Sequence, residues 1–135
     1  MGERAAKSGF AAEAQKKIHG KYDQDLAGQV LDWVAKTTGE QFDPSGELNN
    51  FLAVVKDVTV LCSLANSLSP GAIKKVNSSK LAFKQMENIA AFLTFAENTA
   101  GVPKYEMFQT VDLFEGQDPN SVLICLFSLA RKAEK

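Results

Sequence analysis

The sequence predicts an all-α fold, a compact bundle of four main helices with short connecting helices. Three observations lead there. Apolar residues return at helical spacing in four separate stretches, each stretch is bounded by a capping residue or by Gly and Pro, and no segment shows the strict alternation of a half-buried strand. The 135 residues are 45% hydrophobic and 23% charged, an ordinary composition for one folded unit. A chain of that length buries roughly two thirds of its unfolded surface, enough for one core. No internal repeat interrupts this reading.

Residues 1–9 are small, polar or charged with no apolar face, and are expected to be a flexible N-terminal tail. Residues 10–135 are expected to form the single domain. Phe10, Ala14 and Ile18 stack at four-residue spacing and suggest a short helix, which His19 and Gly20 stop. Asp23 is a good N-cap for the first main helix, whose stripe of Leu26, Val30, Trp33, Val34 and Thr37 ends at Gly39. Glu40 to Glu47, with Pro44 and Gly46, reads as a loop, and Leu48 to Val55 as a short helix with Phe51, Leu52 and Val55 inward.

Asp57 can cap the second main helix, in which Val60, Leu61, Leu64, Ala65 and Leu68 recur before Ser69, Pro70 and Gly71 end it. Ala72 to Ser79 is a polar loop. The third main helix is expected from Lys80 to Ala100 with Met86, Ile89, Ala90, Leu93 and Ala96 inward, Gly101 turning left-handed and Pro103 preventing a restart. Met107, Phe108, Val111, Leu113 and Phe114 then crowd a short irregular segment too apolar to be a solvated loop. Asp118 and Pro119 open the fourth main helix, with Val122, Leu123, Leu126, Phe127 and Ala130 buried. The expected core packs Trp33, Leu61, Leu64, Ile89, Leu93, Leu113, Phe114 and Leu126.

Fifteen basic and sixteen acidic residues nearly cancel, so no global field draws nucleic acid or an anionic membrane, and neither is expected as a partner. The longest apolar run, Val122 to Phe127, is far too short to span a bilayer, and the start of the chain does not read as a leader. Gly2 is followed by Ala6 where myristoylation needs Ser or Thr. Cys62 and Cys125 each lie in an apolar helical pattern and are expected as reduced core thiols, which suits a cytoplasmic protein.

Chemistry finds little to work with. His19 is the only histidine, and without a clustered carboxylate or thiol it makes neither a metal site nor a catalytic base. Asp43 to Glu47 and Asp112 to Asp118 carry acids around a glycine but lack the alternating oxygen ligands and closing glutamate of a calcium loop. They read as a solvated loop or helix caps. Lys74 and Lys75 lack the glycines of a phosphate loop, and Phe83, Phe92 and Phe95, on a helix broader in apolar character than one stripe, read as core and not as a base-stacking platform. No enzyme activity, cofactor or metal is expected.

Several motifs in order carry a family resemblance: Lys21-Tyr22-Asp23 with Trp33 in the next helix, Asn66-Ser67-Leu68, Phe83-Lys84-Gln85-Met86-Glu87, Met107 through Gly116, and Asp118 with the last helix. From about Lys16 onward the chain resembles the calponin homology domain in the version found in calponin and transgelin. The resemblance implies a bundle without catalysis or cofactor that works in the actin cytoskeleton, meeting filaments through the exposed face of the first main helix. Here that face offers Asp25, Gln29, Asp32 and Lys36.

Calponin and transgelin continue with a basic segment and short repeats, whereas this chain stops at Lys135, so the resemblance implies weak filament binding, or none by the domain alone. A near-neutral protein has little electrostatic attraction to an acidic filament. The expectation is a monomeric, cytoplasmic, cytoskeleton-associated protein with actin filaments as partner. The rival is a signalling adaptor, in which the same fold docks a kinase or scaffold protein without touching actin.

Overall fold

Asp23 opens the first helix as expected: its carboxylate accepts the backbone N–H of Leu26 at 3.0 Å, satisfying one of the donors a helix start leaves unpaired. A computed structural model describes residues 22–78 and 80–133, so the tail and the short helix expected before Lys21 lie outside the described residues. In chain order come α1 (Gln24–Thr38), α2 (Leu48–Lys56), α3 (Val58–Leu68) and α4 (Ala82–Thr94), which runs on as a π-helical turn (Phe95–Thr99). A 3-10 turn (Lys104–Glu106), α5 (Thr110–Phe114) and α6 (Pro119–Ala133) complete them. The long elements α1, α3, α4 and α6 are the four main helices, and the described residues contain no strand.

Helix α3 sits between α1 and α4, α1 also packs on α6, and α5 ties α4 to α6. Leu61, Leu64, Ile89, Phe92, Leu113, Leu123 and Leu126 are fully enclosed where these elements meet. Phe92 stacks on Phe108 at 6.3 Å and touches Phe95 at the same centroid distance, a ring cluster that adds directional contact to plain burial.

The buried arcs are rotated from those the spacing predicts. On α1 the enclosed residues are Ala27, Val30, Leu31 and Val34, while Leu26, Trp33 and Thr37 lie half-buried at the edge of the arc. Leu93 and Phe114 are also half-buried, so three of the expected core residues are boundary residues. On α4 the enclosed residues are Asn88, Ile89 and Phe92; Met86 and Ala90 are exposed, and Phe83 is 57% exposed. The reason is that α4 is apolar over more than half its circumference, and a helix packed on one side can bury only one arc of it.

The third main helix is shorter as an α-helix than expected. It widens at Phe95, where Ala100 donates to the Phe95 carbonyl five residues back. Gly101 at φ 82 and the bond from Val102 N–H to the Ala96 carbonyl then close it in a left-handed cap, as the sequence indicates. Asp57 precedes α3, but its carboxylate takes the Thr59 hydroxyl and not a backbone N–H. Asp118 does cap α6, accepting from the Ser121 N–H at 3.2 Å and the Ser121 hydroxyl at 2.8 Å.

The connection between α3 and α4 is held by side chains in place of backbone ladders. The Asn66 amide pairs with both backbone groups of Ile73, at 2.8 and 3.1 Å. Buried Asn88 does the same for Asn77, accepting its N–H at 2.9 Å and donating to its carbonyl at 2.8 Å. A loop without secondary structure thereby satisfies polar groups that would otherwise be costly to bury.

Candidate partner-binding face

At 100° per residue, Asp25, Gln29, Asp32 and Lys36 fall within about 60° of one another on the side of α1 away from Ala27, Leu31 and Val34. The structure brings the four together as one stripe. Asp25, Gln29 and Lys36 are exposed and Asp32 is half-exposed. Asp32 and Lys36 form an ion pair at 2.8 Å, with Lys36 the more exposed partner at 77%. The bond to Asp32 raises the lysine's pKa, so Lys36 stays charged throughout the physiological range. The pair cancels internally and leaves the carboxylate of Asp25 as the stripe's net charge.

Beside the stripe runs a feature the sequence does not announce. Leu26, Gln29, Val30 and Trp33 from α1 face Phe127, Ala130 and Arg131 from α6 across a shallow groove of about 130 Å³. The Arg131 guanidinium lies 5.0 Å from the centre of the Phe127 ring and 3.5 Å from the Glu106 carboxylate, which holds it over the groove. Counting Trp33 as core hides this groove; the only signal for it is that Trp33 stands one helical step from Gln29 and Lys36, toward the wet side of its helix. Gln29 borders both surfaces.

Position of the stripe depends on how α1 is seated. Gly46, in the loop between α1 and α2, lies against the first turns of α1 so closely that a Cβ there would stand 1.9 Å from the Gln24 carbonyl oxygen and 2.5 Å from the Gly28 nitrogen. The Tyr22 hydroxyl donates to the Gly46 carbonyl at 2.7 Å, and the Tyr22 ring meets Phe51 of α2 at 5.7 Å. Burial and the nearby Asp23 and Glu47 carboxylates push the Tyr22 phenol up to about 12, so it remains a donor at neutral pH. The loop itself is tied by Asn50, whose amide donates to the Asp43 and Ser45 carbonyls, both at 2.7 Å.

Neither acidic loop gathers ligands. Asp43 accepts from the Ser45 N–H, Asp112 accepts from the Gln109 N–H at 2.8 Å, and Asp118 caps α6, so these acids serve the backbone. Among the described residues no three His, Cys, Asp or Glu side chains are grouped to hold a metal. Cys62 and Cys125 are both buried and free, and burial pushes their thiols up to about 11 and about 12, keeping them protonated and unreactive. No single helix among the described residues is long and apolar enough to cross a membrane. The bent pair α2 and α3 has the composition to do so, and turns Phe51, Val55, Leu61 and Leu64 into the core.

Four packed main helices joined by short ones, with one face of α1 left to solvent, are the architecture expected of a calponin homology domain. The chain belongs to that family, whose model, the calponin homology (CH) domain, matches residues 24–135. It is 44% identical over 128 residues to myophilin of Echinococcus granulosus, an alignment that covers 94% of this chain. The chain spans 65% of the length of that relative.

Proposed function

We propose that this protein is a non-enzymatic component of the actin cytoskeleton that binds filaments weakly, as a cytoplasmic monomer, through the exposed face of α1. The observation that carries the reading is the single stripe formed by Asp25, Gln29, Asp32 and Lys36, set by the seating of α1 on the Gly46 loop. Family membership over residues 24–135 supports an actin-associated role. Weakness follows from charge: with Lys36 paired to Asp32, the face offers an acidic filament no uncompensated cation and hence little steering. Contact then rests on hydrogen bonds from Gln29 and Lys36 and on burial of the adjoining Trp33 ring.

Cosedimentation with actin filaments across a salt series tests this. Partial pelleting at low salt and tens of micromolar protein, a range that matches a weak interface, is expected to fall in the double variant Gln29→Ala, Lys36→Glu. Absence of pelleting at low salt rejects direct binding, and pelleting unchanged in the variant moves the contact to another face.

A further inference from the structure

Seven large apolar side chains are exposed among the described residues, and four of them, Val76, Leu81, Phe83 and Met86, fall on the loop before α4 and its first turns, with Leu81 and Phe83 more than half exposed. They are not scattered in space. Asn77 is fastened to α4 by Asn88 and by contacts to the Lys84 carbonyl and the Glu87 carboxylate, so Val76 is carried beside the first turns of that helix. Along α4, Phe83, Met86 and exposed Ala90 follow each other at helical spacing over about 10 Å and make a second apolar face, turned away from buried Asn88 and Phe92.

The charge along that segment is mostly basic. Residues 74–90 contain Lys74, Lys75, Lys80 and Lys84 against the single acid Glu87. Glu87 lies 3.8 Å from Lys84, whose ammonium also sits 5.3 Å from the centre of the Phe83 ring. Lys74, Lys75 and Lys80 are exposed, and the ion pairs among the described residues leave them without a carboxylate. Next to the apolar face, Lys80 and Lys56 border a groove of about 600 Å³, with Asp57 on the same rim and half-buried Phe114 and enclosed Ile89 in its wall.

From this we propose that the N-terminal half of α4 and the loop before it form a docking surface for an acidic amphipathic helix of a partner protein. The apolar edge of such a helix would cover Phe83 and Met86 and enter the groove, and its flanking carboxylates would meet Lys74, Lys75 and Lys80. A second copy of this chain fits less well, because a symmetric contact sets lysine against lysine. A bilayer fits less well because it would press anionic headgroups on exposed Glu87 and on Asp57 of the groove, which a helix avoids by where its carboxylates fall. The surface lies on α4, apart from the α1 stripe, and the proposal does not rest on actin binding.

Fluorescence anisotropy of a labelled synthetic peptide tests it: about 18 residues, five helical turns, with leucines on one edge and glutamates beside them. The same peptide with lysine in place of glutamate is the control. The acidic peptide is expected to saturate in the micromolar range and to weaken as salt rises from about 50 to 300 mM, with the lysine peptide not binding. Lys75→Glu with Lys80→Glu is expected to weaken it about tenfold or more. Phe83→Ser, an exposed position where the melting temperature should hold, is expected to do likewise.

No saturation below about 1 mM, or equal binding of both peptides, overturns the proposal. So does retention of the chain by vesicles of phosphatidylcholine with about 30% phosphatidylserine when the peptide fails, or concentration-dependent dimerisation abolished by Phe83→Ser.

Discussion

Gly46→Ala is the substitution with the sharpest expected consequence. A Cβ at that position would lie 1.9 Å from the Gln24 carbonyl oxygen and 2.5 Å from the Gly28 nitrogen, both backbone atoms of α1 that no rotamer change can move. The loop must retreat by an ångström or so, which costs about 1–3 kcal/mol as overpacking. Retreat also withdraws the carbonyl that accepts the Tyr22 hydroxyl at 2.7 Å, worth about 1 kcal/mol more. The total is about 2–4 kcal/mol, a large part of a typical domain's stability. Gly28→Ala is the matched control across the same contact. Its Cβ would meet Gly46 and Pro44 at 3.5 Å and beyond, an ordinary separation, and alanine is favoured over glycine inside a helix by up to about 1 kcal/mol. Urea unfolding of both variants should therefore give changes of opposite sign, Gly46→Ala destabilised and Gly28→Ala neutral or stabilised. A loss below about 0.5 kcal/mol for Gly46→Ala, or an equal loss for Gly28→Ala, would refute the described seating of the loop on α1.

Other expectations follow from the same geometry. Asn88→Ala leaves the N–H and carbonyl of Asn77 without their partner and should cost about 2–3 kcal/mol in chemical denaturation, with amide exchange at Asn77 accelerated. Phe92→Ala, at a fully enclosed ring, should cost about 3–5 kcal/mol. Trp33→Ala, at the half-buried edge of α1, should cost only about 1–2 kcal/mol, and equal losses would return Trp33 to the core. Stability should also fall in alkali. Cys62 and Cys125 ionise from 9.0 in the ordinary case but only near 11 and 12 in the fold, and Tyr22 is raised from 10.0 to about 12. Above pH 9 the unfolded chain therefore binds fewer protons than the folded one, and stability drops as pH rises through 9 to 12. A melting temperature flat from pH 8 to 11 would contradict that burial.

Helix positions were legible because each main helix carries its own punctuation: Asp23 and Gly39 for α1, Gly101 and Pro103 after α4, Asp118 and Pro119 for α6. Which arc of each helix is buried was less so. Periodicity locates an apolar face relative to the helix axis, but when Phe83, Met86 and Ala90 compete with Ile89, Phe92 and Ala96 on one helix, tertiary packing chooses between them. Trp33 was read as core for a similar reason, since a large ring counts as apolar whether it closes a core or lines a groove. The side-chain clamps of Asn66 and Asn88 were invisible because asparagine in a helix pattern looks like a solvated position until the loop it holds is placed. The α1 stripe, by contrast, needed only the helical period, and the four residues singled out from the sequence do share one face.

The most direct test of the filament-binding account is the loss of amide signal intensity in the isotope-labelled protein as actin filaments are added at low salt. The account predicts broadening centred on Asp25, Gln29, Asp32 and Lys36 and on the indole of Trp33, with α3 and α5 unaffected beyond the general loss. Intensities that fall uniformly, or that fall first elsewhere while the α1 face stays sharp, would contradict it.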